Sequence, residues 1–278
     1  MNREKAVYDV LRYFHFFHHG LTVEEVRAFC AVPSTPFEIK TELRTMVTRG
    51  EAYESEGYYA IDTSSIQLRR KYRAKNRRML ALARIMGWIM MRFPFVRGVY
   101  VSGSLSKGGV QNSSDDIDYF IVTKPNRVWT SKFLLTLFKK TFLLNSKKYF
   151  CINFFRDAEH LAFNKQNIYV ATEIATLIPL QNKALLHTLW DQNKWIYNYF
   201  PNLHQPVKTY APKPNKSPFE RLWDLLWGDR LEHWAHAKYK GHFAQKSKED
   251  PNHHMEKSRN SAAYFPDSME NQVLSYYN

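Results

Sequence analysis

The sequence predicts an α+β fold in three parts: an N-terminal winged helix-turn-helix, a strand-bearing core with a mixed sheet and flanking helices, and a helical C-terminal segment. Three observations carry that expectation. Residues 1–62 show three helical signals and then two short β-rich runs parted by Gly57. From Val96 to Phe155 the order is strand, small turn, strand, helix, strand. Residues 181–245 show helical periodicity.

In the first part, Val7, Val10, Leu11 and Phe14 fall on one helical face. Thr22 and Glu25 have capping-box spacing, as do Thr35 and Glu38, with Pro36 at the first helical position. Ile39, Leu43, Met46 and Val47 give the third helix its buried stripe, and Gly50 stops it. "EAYESEGYYAI" then reads as a hairpin. The third helix carries Lys40, Arg44 and Arg49 beside Glu38 and Glu42, so it lacks the one-sided charge of a dedicated DNA reader. A packing module is the first reading of this unit, with protein, RNA and DNA contact as the alternatives.

Residues 69–78, "RRKYRAKNRR", form the densest basic run and pass without a break into an amphipathic helix. Leu82, Ile85, Met86, Ile89 and Phe93 recur there at helical spacing, and Pro94 ends it. The basic half reads as a solvated connector or as a strip that contacts nucleic-acid phosphates. The core follows: "VRGVYVSGS", "DDIDYFIVT" and "KKYFCINFF" as strands, and "RVWTSKFLLTLFKKTFLL" as a helix. "YVATEIATLI", "KALLHTLWDQNKWIYNYF" and "SPFERLWDLLWGDRLEHWAHAKYK" read as helices, with prolines 201, 206, 212, 214 and 218 marking a linker. The divisions are 1–62 for the winged helix, 63–180 for the core with its basic lead-in, 181–245 for the helical region, and 246–278 as a polar, disordered tail.

The 278 residues carry 40 Lys and Arg against 26 Asp and Glu, a formal charge of +14 that favours anionic partners. Cys30 and Cys151 lie in apolar surroundings and read as buried free thiols rather than a disulfide. Zinc spacing is absent, and the most apolar windows are broken by charge, as by Lys139 and Lys140. The first residues lack the apolar core of a signal peptide. The expectation is a cytoplasmic protein without a membrane span.

The chemistry concentrates in "VYVSGSLSKGGVQNSSDDIDYFIV", Val99–Val122. Alternation along a strand puts Asp116 and Asp118 on one face, roughly 7 Å apart along the backbone. Two like charges so placed repel, and a divalent cation relieves them. Oxygen ligands suit Mg²⁺ shared with substrate phosphates. Gly103 lets the backbone approach a ligand, and Ser104 with the following amides can meet a phosphate. Together they describe a site for a nucleoside triphosphate.

Gly103-Ser104, eleven residues, then Asp116-Ile117-Asp118-Tyr119 between strands resembles the signature of the nucleotidyltransferase superfamily typified by DNA polymerase beta. The match covers about residues 75–160. More loosely, the whole chain resembles a bacterial family in which a winged helix precedes such a domain and a helical segment follows it. The resemblance implies transfer of a nucleoside monophosphate from an NTP to a hydroxyl acceptor, with pyrophosphate leaving. It implies Mg²⁺ or Mn²⁺ on Asp116 and Asp118, and the β- and γ-phosphates on Gly103 and Ser104. Lys107 is a phosphate partner by proximity, or else solvated.

The superfamily places a third carboxylate on the next strand, where this chain offers Asn153. An amide oxygen can touch a metal but is a poor base. Asp157 lies four residues further, ~13 Å along an extended strand. Glu173 could reach the site from a helix, and Asp115 is a loop residue or an outer partner. A catalytically weak module that binds nucleic acid or a protein therefore stands as the alternative to an enzyme. His233, His236 and His242 read as exposed helix residues before metal ligands, and Trp223, Trp227 and Trp234 as core before a base-stacking platform.

Overall fold

The computed structural model describes residues 2–110, 115–146, 148–204, 218–249 and 253–277. Among them are eleven helices, a two-stranded hairpin and a mixed six-stranded sheet.

Helices α1 (Arg3–His15), α2 (Val23–Phe29) and α3 (Pro36–Thr48) precede strands β1 (Tyr53–Ser55) and β2 (Tyr58–Ala60). Both capping boxes form: Thr22 and Thr35 each accept the amide three residues on, and Glu25 and Glu38 return the bond. Val7, Ile39 and Leu43 are fully buried between these helices. Helix α4 (Thr63–Met90) begins at an Asp62 cap, six residues before the basic run.

The buried face of α4 departs from the large-residue periodicity. Leu82 and Ile85 are exposed, while Met79, Ala83, Gly87 and Met90 face the sheet. The cause is close approach: a Cβ on Gly87 would lie 2.9 Å from the Leu180 side chain. The sheet takes the face where small residues let it come near.

The sheet comprises β3 (Val96–Ser102), β4 (Asp118–Thr123), β5 (Cys151–Asp157), β6 (Ile178–Gln181), β7 (His253–Ser258) and β8 (Ser261–Pro266) in the order β6-β3-β4-β5-β8-β7. β4 and β5 run parallel, and the remaining pairs are antiparallel. The parallel pair needs a crossover, and α6 (Val128–Phe142) supplies it. Val99, Val101, Tyr119 and Ile121 face one core with α4 and α6. Tyr100, Phe120 and Val122 face the other, covered by α7 (Ile168–Ala175), α8 (Lys183–Gln192) and α9 (Ile196–Tyr199). Between β3 and β4, Gly103–Ser106 makes one helical turn, α5.

Three expectations are corrected here. The helix expected through Ile178 stops at Ala175, and β6 follows with Pro179 on the sheet edge, where a missing amide is tolerated. The tail expected to be disordered from 246 onward instead supplies β7, β8 and α11 (Asp267–Tyr277). β8 pairs with β5, Ala262 and Ala263 are fully buried, and Val273 enters the core of the N-terminal helices. These contacts are made with β5 and the N-terminal helices, partners far away in sequence that composition does not show.

The third correction concerns the tryptophans. Helix α10 (Pro218–Glu249) turns Trp227 and Trp234 outward. It docks through Ala235 and Tyr239, which meet the core, and through acids. Glu220 accepts the Phe95 amide at 3.1 Å and pairs with Arg97. Asp224 pairs with Lys124 and with Arg127 at 2.7 Å. Glu232 takes the Trp129 and Thr130 amides at 3.0 and 2.8 Å, capping α6. The proline linker at 206, 212 and 214 lies outside the described residues. No helix among the described residues is long and apolar enough to cross a membrane.

Candidate metal centre

The site forms where β3 ends and β4 begins. Ser102 and Asp118 are cross-strand partners. Gly103 follows at φ +68°, a left-handed conformation that costs glycine little and other residues more. A Cβ there would stand 2.5 Å from Asp118 Oδ2, so the bare backbone lies directly against the carboxylate. Leu105 anchors the α5 turn in the core while Ser104 stays exposed. Asn76 of α4 holds the way out, donating to Val110 O at 3.3 Å and accepting its amide at 3.2 Å.

Asp116 and Asp118 share a face because Ile117 and Tyr119 are fully buried in the opposite core. The segment is fastened to the start of β5: Ile117 N donates to Lys148 O at 2.9 Å and Cys151 N donates to Ile117 O at 3.1 Å. Cys151 is the register partner of Asp118 on the parallel strand. One ligand atom from each of Asp116, Asp118 and Cys151 lies within 4.8 Å of the others. Burial, then the Asp116 charge, pushes the Asp118 carboxyl up to about 7, with Glu173 adding to the rise. Burial and the two carboxylates push the Cys151 thiol up as well. A cation among these three groups would reverse both effects. The donor set fits a divalent ion.

Lys107 is neither solvated nor free to meet a phosphate. Its side chain is 7 % exposed, and Nζ donates to Gly103 O at 3.1 Å and to Glu173 Oε1 at 2.7 Å. Glu173, on α7, therefore reaches the site from another element, as a partner of that lysine. Asn153 sits on β5 beside an irregularity: two residues separate Cys151 from Phe154 where one separates Asp118 from Phe120. Its side chain lies outside the described residues. Asp157 is buried at the far end of β5, taking the Glu159 and His160 amides at 3.0 and 2.9 Å. Asp115 is half-buried just ahead of the pair. His233 is exposed, and the His236 ring lies tilted against Trp129 at 4.9 Å. Neither histidine joins the acidic group, and the side chain of His242 lies outside the described residues.

The expected basic strip is partly consumed internally. Arg69 forks onto Glu25 at 2.7 and 2.8 Å and lies over the Tyr58 ring. Arg70 pairs with Glu56, while Lys71, Arg73, Arg77 and Arg78 are exposed. The residue that sequence reasoning passed over is Cys151. Its place at the mouth of the third strand was visible, but the β5 irregularity moves the alignment by one and turns the thiol toward the acids. Compared with known proteins, no family model, curated protein or solved structure matches the chain.

Proposed function

We infer that the chain is a metal-dependent nucleotidyltransferase with a polymerase-beta-like core centred on 63–180, its sheet completed by β7 and β8, and a winged helix at 1–62. The observation that carries this is the Gly103 backbone held against Asp118 on the face that also holds Asp116. A tight glycine turn touching a carboxylate pair lets one ligand meet both, as a cation-bound triphosphate does.

In this reading Asp116 and Asp118 hold Mg²⁺ or Mn²⁺, and Gly103 and Ser104 hold the β- and γ-phosphates. The bound cation neutralises developing charge on the attacking and leaving oxygens. The acceptor hydroxyl bonds to the α-phosphorus as the bond to pyrophosphate breaks. Lys107 fixes the turn through the Gly103 carbonyl rather than touching the substrate. The resemblance puts Asn153 in the place of a third acid, and Glu173 is engaged by Lys107, so acceptor activation is the weak half of the site.

That weakness keeps a second reading. The exposed Lys71, Arg73, Arg77 and Arg78 favour a catalytically weak module that binds nucleic acid through residues 69–78. One experiment separates the two. The chain is incubated with each labelled NTP, Mg²⁺ or Mn²⁺, and cell extract as acceptor source. Pyrophosphate release that Asp116→Ala and Asp118→Ala both abolish supports the enzyme. Release unchanged in both variants removes it.

A further inference from the structure

We propose that Cys151 is a third ligand of the Asp116–Asp118 centre, and that its sulfur makes the site select a borderline divalent cation such as Zn²⁺ or Co²⁺ over Mg²⁺. This rests on the reading of the two aspartates as cation ligands. It goes beyond that reading in naming the third donor, and it replaces Mg²⁺ with a borderline ion as the cation that the two acids hold.

Strand register, not a flexible side chain, brings the sulfur to the acids. Cys151 pairs with Asp118 across parallel strands, and its own amide is tied to Ile117 O at 3.1 Å. Sγ and the two carboxylate oxygens lie within 4.8 Å of one another. Zinc–sulfur and zinc–oxygen bonds of about 2.3 and 2.0–2.2 Å allow two ligands of one ion to stand at most about 4.5 Å apart. A small side-chain adjustment therefore closes the set. Cys151 is 6 % exposed, and its sulfur is grouped with the oxygens of two carboxylates.

Two further observations point to a ligand. The bare Gly103 backbone lies against Asp118, where a Cβ would stand 2.5 Å from Oδ2, so no side chain at that point of the turn covers the carboxylate. The positive charge that acts on Asp118, Lys107, is paired at 2.7 Å with Glu173 and bonded to the Gly103 carbonyl. Among the described residues no Lys107 contact to Asp116 or Asp118 accompanies these two bonds, so its ammonium is turned to Glu173 and the turn.

The chemistry of the donors then chooses the ion. Mg²⁺ prefers near-octahedral oxygen and sheds water reluctantly. Thiolate favours zinc and its neighbours in the later first row. Three protein donors leave a tetrahedral ion its fourth position for a water or a phosphate oxygen. On binding, the thiol proton passes to solvent and the sulfur takes its place on the ion.

The test uses the full chain, freed of metal by a chelator and titrated with Co²⁺. A sulfur-to-cobalt charge-transfer band in the near ultraviolet is expected at one cobalt per chain. Cys30→Ser, in the separate N-terminal core, should keep the band. Cys151→Ser should lose it and bind Zn²⁺ at least about 10-fold more weakly. Excess Mg²⁺ should fail to displace the cobalt. Cobalt binding with no sulfur band in the unaltered chain, which requires no variant to fold, overturns the inference, as does full zinc affinity in Cys151→Ser. Either result leaves the nucleotidyltransferase reading standing. A sulfur band with no NTP binding or pyrophosphate release does the reverse.

Discussion

Gly103 and Asp118 touch so closely that any side chain on Gly103 would strike the Asp118 carboxylate: a Cβ would stand 2.5 Å from Oδ2. The turn and the acid are thereby one structural unit. Ser102–Asp118 pairing aligns them, and the left-handed φ of Gly103 keeps the backbone in contact.

Gly103→Ala should therefore damage the site and the fold together. We expect a loss of about 1–3 kcal/mol in unfolding free energy, from a non-glycine residue at positive φ and a displaced Asp118. Denaturant unfolding and a divalent-cation titration of the same sample check both halves. Wild-type cation affinity in the variant would show that the contact is incidental.

Lys107→Met removes the clamp on the Gly103 carbonyl and strands Glu173. Because Glu173 is partly exposed, we expect a cost of about 1–3 kcal/mol rather than that of a fully buried pair. The double variant Lys107→Met/Glu173→Gln should recover part of it, since the residues are in contact. Strictly additive losses in a double-mutant cycle would contradict the pairing.

His19 gives the protein an acid-sensitive joint. It is buried beside Arg69 Nη1 at 2.9 Å, with Glu25 and Lys107 also acting on it. Burial, then the Arg69 charge, lowers its pKa to about 3. The unfolded chain thus binds a proton that the folded chain refuses between pH about 3 and about 6.5. Its contribution is full above pH 6.5 and is lost as pH falls toward 3, by a few kcal/mol at most. The bond and charge from Arg69 hold the Glu25 carboxyl low despite burial, which adds loss in the same direction below its ordinary range. Stability measured by urea from pH 7 to 4 should fall from about 6.5 downward, and His19→Gln should flatten the upper part of that fall. An unchanged slope in the variant would assign the loss to carboxylates alone.

Truncation after residue 246 should destabilise the whole protein. It removes β8 from the edge of β5, and α11, whose Tyr276 carbonyl accepts from Arg12 and whose Tyr277 ring meets Tyr13 at 5.8 Å. We expect a drop in Tm of several degrees or loss of cooperative folding, read by circular dichroism. An unchanged Tm would return this segment to a dispensable tail.

The sequence revealed whatever depends on local signals. Both capping boxes, the Gly57 hairpin and the order of the first three core strands follow the local signals, although β4 and β5 begin at Asp118 and Cys151, three and four residues later than expected. It hid what depends on distant partners. Leu82 and Ile85 carry helical periodicity, but Ala83 and Gly87 decide the contact because β6 must come close. Glu220, Asp224 and Glu232 look like solvent-side acids until Arg97, Arg127 and the bare amides of α6 meet them. At the site, Asp116 and Asp118 were legible from their spacing, whereas Cys151 was not, because the β5 irregularity shifts its face.

The most direct test is calorimetric titration of a non-hydrolysable NTP into the metal-loaded chain and into Asp118→Asn. The account predicts cation-dependent nucleotide binding that the variant loses, with the variant still folded. Equal binding in both proteins, or binding that needs no cation, would contradict the claim that the acids and the glycine turn together hold a cation-bound triphosphate.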